Sequence, residues 1–371
     1  MKRLVLILAV CTALGACGNK EDAKKAEADA KVLYVYNWSD YIAEDTVAGF
    51  SKETGIKVVY DVYDSNETLE AKLLSGASGY DLVFPSARPF AEKQIAAGVY
   101  ADLDRAALAN WGNLDTGVLK SLDAIDPGNA KLVPYMWGTT GIGYNVKKVR
   151  EILGPDAVID SWSLVFDPVI AGKLAQCGIA VLDDPEDAIT SALLWKGMDP
   201  KVSDGKSLEA AKQAFLGTRA NIKYFHSSQY ISDLANGDIC VAMGYSGDIF
   251  QARDRADEAA NGVEIDFLIP REGAARWVDV MAIPGDARNK SNAMKFIDYL
   301  LRPQVAADIS NYVSYATPNN AAKALLDPEL AADESVYPKP EVSAKLADPA
   351  SFPPDVQRER VRLWTTIKTG K

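Results

Sequence analysis

The chain has 371 residues, 48% hydrophobic and 25% charged, with 40 basic against 51 acidic side chains. That composition is globular and excludes a disordered or fibrous chain, and the net charge of −11 argues against a nucleic-acid partner. At roughly 150 residues per domain the length suggests two domains, each with room for its own core.

The N-terminus carries Lys2 and Arg3, then a short apolar run from Leu4 to Ala13, then Leu14, Gly15, Ala16 and Cys17. The run is too short to span a bilayer as a stable helix. Small residues before a cysteine match the cleavage pattern of bacterial lipoproteins, which makes 1–16 a signal peptide and Cys17 a lipidation site. An ordinary secretory signal is the blander alternative. Residues 17–31 are polar, charged and alanine-rich without apolar periodicity, and read as a solvated tether. Cys11 leaves with the signal. Cys177 and Cys240 remain, and an oxidising compartment favours a bridge between them over two buried thiols.

Val32 to Trp38 is almost unbroken apolar sequence and reads as a strand buried on both faces. A helix from about Ile42 to Glu53 ends at Gly55, and β-branched Lys57 to Val62 reads as a second strand. A helix over Glu67 to Ser75, a strand over Asp81 to Phe84 and a helix through Gln94 follow. Val133 to Trp137 and Gly141 to Asn145 read as two separate strands. Strands at Ile179–Leu182, Ile222–Phe225 and Ile239–Met243 then alternate with helices at Glu186–Lys196, Ser207–Leu216, Tyr230–Ala235 and Asp248–Ala260. Val263–Ile269 and Trp277–Ile283 are further strands, and Lys290–Leu301 is a helix that Pro303 stops. This alternation implies α/β units with parallel sheets and right-handed crossovers.

Such sheets bind ligands beyond the carboxyl ends of their strands. Ser39 and Asp40 follow the first strand, Ser86 the third, and Asp183, Asp184 and Glu186 the strand ending at Leu182. Tyr245, Ser246 and Asp248 follow the strand ending at Met243, and Asp279 interrupts the apolar stretch WVDVMAIP. Trp38, Tyr41, Tyr245, Trp277 and Tyr315 lie nearby, and Arg88 is the nearest arginine. Carboxylates, hydroxyls and aromatic faces suit an aliphatic diammonium ion. Carboxylates and hydroxyls take its N–H donors, and aromatic faces cover its methylenes and attract its charge. Singly, an aspartate after a strand is a helix N-cap, a reading that holds for Asp184 and competes for Asp40 and Asp248. Asp279 is different, because a carboxylate inside an apolar strand is costly without a partner. With one histidine, His226, and no triad, phosphate loop or metal cluster in the sequence, an enzyme is the weaker reading. An amino-acid binder would want an arginine for the carboxylate, and only Arg88 is near.

The stretches YNWSDYI (36–42), KETGIKVVYDVYDSNETLEAKL (52–73), PYMWGTTGIGYNV (134–146), YFHSSQYISDLANGDICVAMGYSGD (224–248), LLRPQVA (300–306) and YATPNNAA (315–322) resemble the polyamine-binding proteins of ABC importers, the putrescine-binding type most. The resemblance implies a two-lobed periplasmic binding protein fold of type II, with the ligand in the cleft between the lobes. The expected lobes are 32–136 plus 265–308 and 137–264 plus 309–371. It further implies a monomer without cofactor that carries putrescine or a related polyamine to an ABC permease. By position, Ser39 and Ser86 would contact one end of the ligand with Asp40 and Glu186 nearby, and Asp248 and Asp279 would hold the other. Trp38, Tyr41, Tyr245, Trp277 and Tyr315 would line its chain, and Cys177 and Cys240 match a disulfide. Tyr245 stands where the putrescine type has tryptophan, Trp277 where it has phenylalanine, and Arg88 is atypical.

Overall fold

The computed structural model describes residues 31–370. The expected signal peptide, the lipidation site Cys17 and all but the last residue of the tether lie outside the described residues.

Strand β1 (Val32–Trp38) pairs in parallel with β2 (Lys57–Tyr63) and β3 (Leu82–Val83). Leu33, Val35 and Asn37 are buried and Tyr34 is exposed, so β1 alternates where burial on both faces was expected. The cause is the neighbouring aromatic surface: Tyr36 stacks on Tyr80 at 4.4 Å on the outer face, while Leu33 and Val35 face the core. A second parallel set joins β5 (Ile179–Val181) to β6 (Ile222–Phe225) and β7 (Val241–Tyr245).

Two antiparallel strands run between these sets. The 14-residue β4 (Leu132–Asn145) pairs through its first part with β9 (Ala275–Ala282), which also meets β3, and through its last part with β7. The two short strands expected at 133–137 and 141–145 are therefore one. The glycines that looked like a break are demanded by packing. A Cβ at Gly138 would come within 2.7 Å of the Trp277 indole, and one at Gly141 within 2.4 Å of the Leu268 carbonyl.

Each lobe has its own core. Phe50 packs on Phe296 at 4.8 Å in the first, and Phe215 on Phe166 and Trp364 in the second. Strand β8 (Ile265–Leu268), expected with the first lobe, pairs instead with Ile142–Asn145 of the second, where Phe267 packs on Phe250. Ile309, Val313 and Tyr315, expected with the second lobe, lie in the first core. Pro303 does stop the Lys290–Leu300 helix, but it also occupies the first turn of a further helix, Pro303–Val313, where its missing N–H is harmless. The chain ends on the Pro354–Thr369 helix, which buries Arg360, Trp364 and Ile367 against the second lobe.

Cys177 and Cys240 form a disulfide with a Cα–Cα distance of 5.5 Å, closing a sequence separation of 63 residues inside the second lobe. Replacing both by alanine should lower the unfolding free energy by about 2–4 kcal/mol, because the unfolded chain regains the freedom the bridge removes. Urea unfolding of the two proteins measures this, and an unchanged midpoint would show that the bridge adds no constraint.

Candidate functional site

A cavity lined by aromatic and acidic side chains lies between the lobes. The first lobe contributes Asp279 from the middle of β9. Ser86 Oγ donates to Asp279 Oδ1 at 2.6 Å, and Asn66 Nδ2 donates to Ser86 Oγ at 3.0 Å. The Tyr41 hydroxyl approaches the same carboxylate, outside normal hydrogen-bond geometry. The second lobe contributes Asp248 from the first turn of the Ser246–Ala259 helix that follows β7. Tyr230 and Tyr315 hydroxyls donate to its two oxygens, each at 2.6 Å.

Neither Asp248 nor Asp279 forms an ion pair among the described residues, and both are buried, at 7% and 4% exposure. Burial pushes each up to about 7; the hydroxyl donors, Ser86 and Tyr41 for Asp279 and Tyr230 and Tyr315 for Asp248, only partly offset it. Burial likewise holds the phenols of Tyr41, Tyr245 and Tyr315 well above their ordinary range, so they remain neutral donors.

The aromatic walls follow from the elements that carry them. Trp38 ends β1 and donates its indole N–H to the Phe84 carbonyl at 2.8 Å. Trp277 crosses Tyr245 at 5.6 Å and Tyr315 at 5.3 Å, both edge-on, and Tyr41 meets Tyr315 at 5.1 Å. Gly247 lets Tyr315 close in, since a Cβ there would lie 2.5 Å from its ring.

Of the expected contacts, Trp38, Ser39, Tyr41, Ser86, Glu186, Tyr245, Asp248, Trp277, Asp279 and Tyr315 all line this cavity, together with Arg88. Asp40 does not. Its backbone adopts a left-handed φ of 53°, a conformation aspartate tolerates, and its carboxylate turns outward to Arg255 Nη2 at 2.7 Å. Ser86 groups with Asp279, because the two form an isolated antiparallel bridge and Ser86 Oγ donates to the carboxylate. Glu186 is already paired: Arg360 Nη2 lies 2.9 Å from Oε2, and Gln357 Nε2 donates to Oε1 at 2.5 Å. Asp184 caps the Pro185–Trp195 helix, accepting from the N–H groups of Glu186 and Asp187 at 2.8 and 3.0 Å.

Asp187 and Asn66 were not anticipated. Asp187 accepts a hydrogen bond from Thr140 Oγ1, and burial first, then Asp184, pushes its carboxyl well above the usual range. Asp184 itself is pushed up to about 6, burial outweighing its backbone donors. Adjacency to Glu186 was the only sequence signal for Asp187, and Asn66 carried none.

Residues 45–338 match the family model of the bacterial extracellular solute-binding proteins. The chain is 50% identical over 371 residues, all of both chains, to the putrescine-binding periplasmic protein SpuD of Pseudomonas aeruginosa. It is 52% identical over 345 residues, 93% of each, to the putrescine-binding periplasmic protein PotF of Escherichia coli. Its fold superposes with a TM-score of 0.80 and 30% identity on a solved Listeria monocytogenes protein described as a spermidine/putrescine ABC transporter, covering 92% of this chain and 100% of that one.

The raised carboxyls make a stability prediction. An acid whose folded pKa is raised stabilises the fold fully below its unfolded pKa, and that contribution is lost as pH rises through the folded value. For Asp248 and Asp279 the window runs from about 4 to about 7. Carboxyls held low, such as Asp115 and Glu53, act in the opposite direction but have finished titrating by about pH 5. The ligand-free protein should therefore melt at a lower temperature at pH 8 than at pH 5.5. Circular dichroism melts across that range provide the check, and a Tm that rises would contradict it.

Proposed function

The chain belongs to the bacterial extracellular solute-binding proteins, and from that premise we propose that it captures a small aliphatic polyamine, putrescine first, between its lobes and hands it to an ABC permease. The observation that carries this reading is the pair Asp248 and Asp279. They are two buried acids without ion pairs, one from each lobe, facing one cavity walled by Trp38, Tyr245, Trp277 and Tyr315. The periplasmic putrescine-binding relatives support it, and they are transport proteins, not enzymes. Asp248 and Asp279 together hold an ammonium group of the ligand in charge-assisted hydrogen bonds, and the aromatic faces cover the four methylenes. Both half-sites are satisfied together only when the lobes are closed on the ligand, so binding selects the closed state. No bond is broken.

The protein works in the periplasm. Lipidation at Cys17 would tether it to a membrane as a monomer, and Cys17→Ser should then release it into the soluble periplasmic fraction.

Calorimetry on the purified protein tests the central assignment. Asp279→Ala and Asp248→Ala should each weaken putrescine binding by on the order of 100-fold or more, since removing one partner of a buried pair costs about 3–5 kcal/mol. Unchanged affinity in both variants would remove the diamine reading.

The pH dependence is a separate check. Putrescine stays doubly protonated below about pH 9 and binds the ionised acids, which are part-protonated near pH 7 without it. Binding should release protons at pH 7, and affinity should fall as pH drops from 8 to 6. Titrations in buffers of different ionisation enthalpy measure the protons, and proton uptake would contradict the assignment.

A further inference from the structure

We propose that Arg360 and Lys368, both on the C-terminal helix, are built-in counterions that limit the number of ammonium groups the cleft accepts and so favour diamines over triamines. The inference rests on the polyamine reading above and concerns the same cleft.

Six carboxylates line the main cavity: Asp64, Asp184, Glu186, Asp187, Asp248 and Asp279. A diamine brings two positive charges. A polyamine with a third ammonium would find further acids to bind unless those acids are already matched. Glu186 is matched by Arg360, an ion pair buried on both sides, with side chains 9% and 1% exposed. The arginine is held in turn, stacked on the Phe352 ring at 4.5 Å.

A second chamber adjoins the first at its mouth and shares Asp64 and Ser227 with it. Its acids are Asp64, Glu67 and Asp183. Lys368 Nζ reaches both oxygens of Asp183, at 2.7 and 2.8 Å, and Trp364 Nε1 donates to the same carboxylate at 2.7 Å. The lysine thus occupies the position that the outer ammonium of a longer amine would seek.

Both cations are carried by one rigid element. Trp364 packs edge-on against Phe215 and Phe225 at 5.4 and 5.3 Å, and Arg219 Nε donates to the Lys368 carbonyl at 2.8 Å. The helix is therefore fixed to the lobe that bears Asp183 and Glu186, so the two pairs persist whether the lobes are apart or together. Among the described residues no protein cation pairs Asp248 or Asp279, nor Asp184 or Asp187 in the same cavity, so Glu186 and Asp183 are set apart by the cations that hold them.

The test compares putrescine and spermidine by calorimetry on the full protein. Lys368→Gln is half-exposed and leaves the core intact. It should raise spermidine affinity relative to putrescine by roughly tenfold, the scale of one added charge-assisted contact. Arg360→Met should move the ratio in the same direction, and adding Glu186→Gln should cancel that shift, because the carboxylate that Arg360 releases is then gone. A purely structural role for Arg360 would not be cancelled by Glu186→Gln. A ratio unmoved in Lys368→Gln overturns the proposal, and so does an Arg360→Met shift that persists in the double variant. Should Arg360→Met not fold, the Lys368→Gln ratio decides alone. Wild-type protein that binds neither amine would instead overturn the polyamine reading itself.

Discussion

The site depends on one cost: a carboxylate removed from water without a cation beside it. Asp248 and Asp279 both bear that cost, and hydroxyl donors only reduce it. In a folded protein such groups are neutralised, paired or used. Elsewhere in this chain the first two solutions prevail. Glu186 has Arg360, Asp183 has Lys368, Asp40 has Arg255, and Asp184 has two backbone N–H groups. The contrast gives the pair its meaning. Glu186, Asp183 and Asp40 have protein cations, whereas Asp248 and Asp279, like Asp187 in the same cavity, have only neutral hydrogen-bond donors.

The sheet explains why one acid comes from each lobe. Asp279 lies on β9, opposite Met136 of β4, and binds Ser86 of the first lobe. Asp248 lies in the helix that leaves β7, which pairs with the far part of β4. Trp277 pairs with Gly138 in the antiparallel β4–β9 ladder that runs between the two parallel strand sets, two residues from Asp279. A third strand-like link, Trp137 to Ala316 with reciprocal bonds at 3.0 and 3.2 Å, brings Tyr315 in beside the same ladder.

Much of this was legible in the sequence, and what was not has physical causes. Alternating strands and helices, the disulfide and ten of the eleven expected residues that line the cavity follow from pattern, spacing and resemblance. β4 was read as two strands with Gly138 to Thr140 between them, yet Gly138 and Gly141 make room for Trp277 and Leu268 within one strand. The C-terminal helix was missed because its buried face includes Arg360, so its apolar stripe is interrupted where it matters. That omission propagated. Without the helix Glu186 looked free and Asp183 looked like a loop acid, when both are already neutralised. Asp40 was misplaced for a different reason, since a single left-handed residue reverses the direction of its side chain and no residue pattern announces it.

These features together connect charge to motion. Closing the cleft without a cation buries Asp248 and Asp279 and forces protonation or charge repulsion, as their raised pKa values indicate. Closing it on the proposed ammonium ligand would replace the lost water with ion pairs in a low-dielectric space, where each is worth more than in bulk. A neutral solute would compensate neither acid. The ligand's positive charge would then supply the differential affinity for the closed form that shifts the equilibrium. Selectivity and closure are then two consequences of the same unpaired acids.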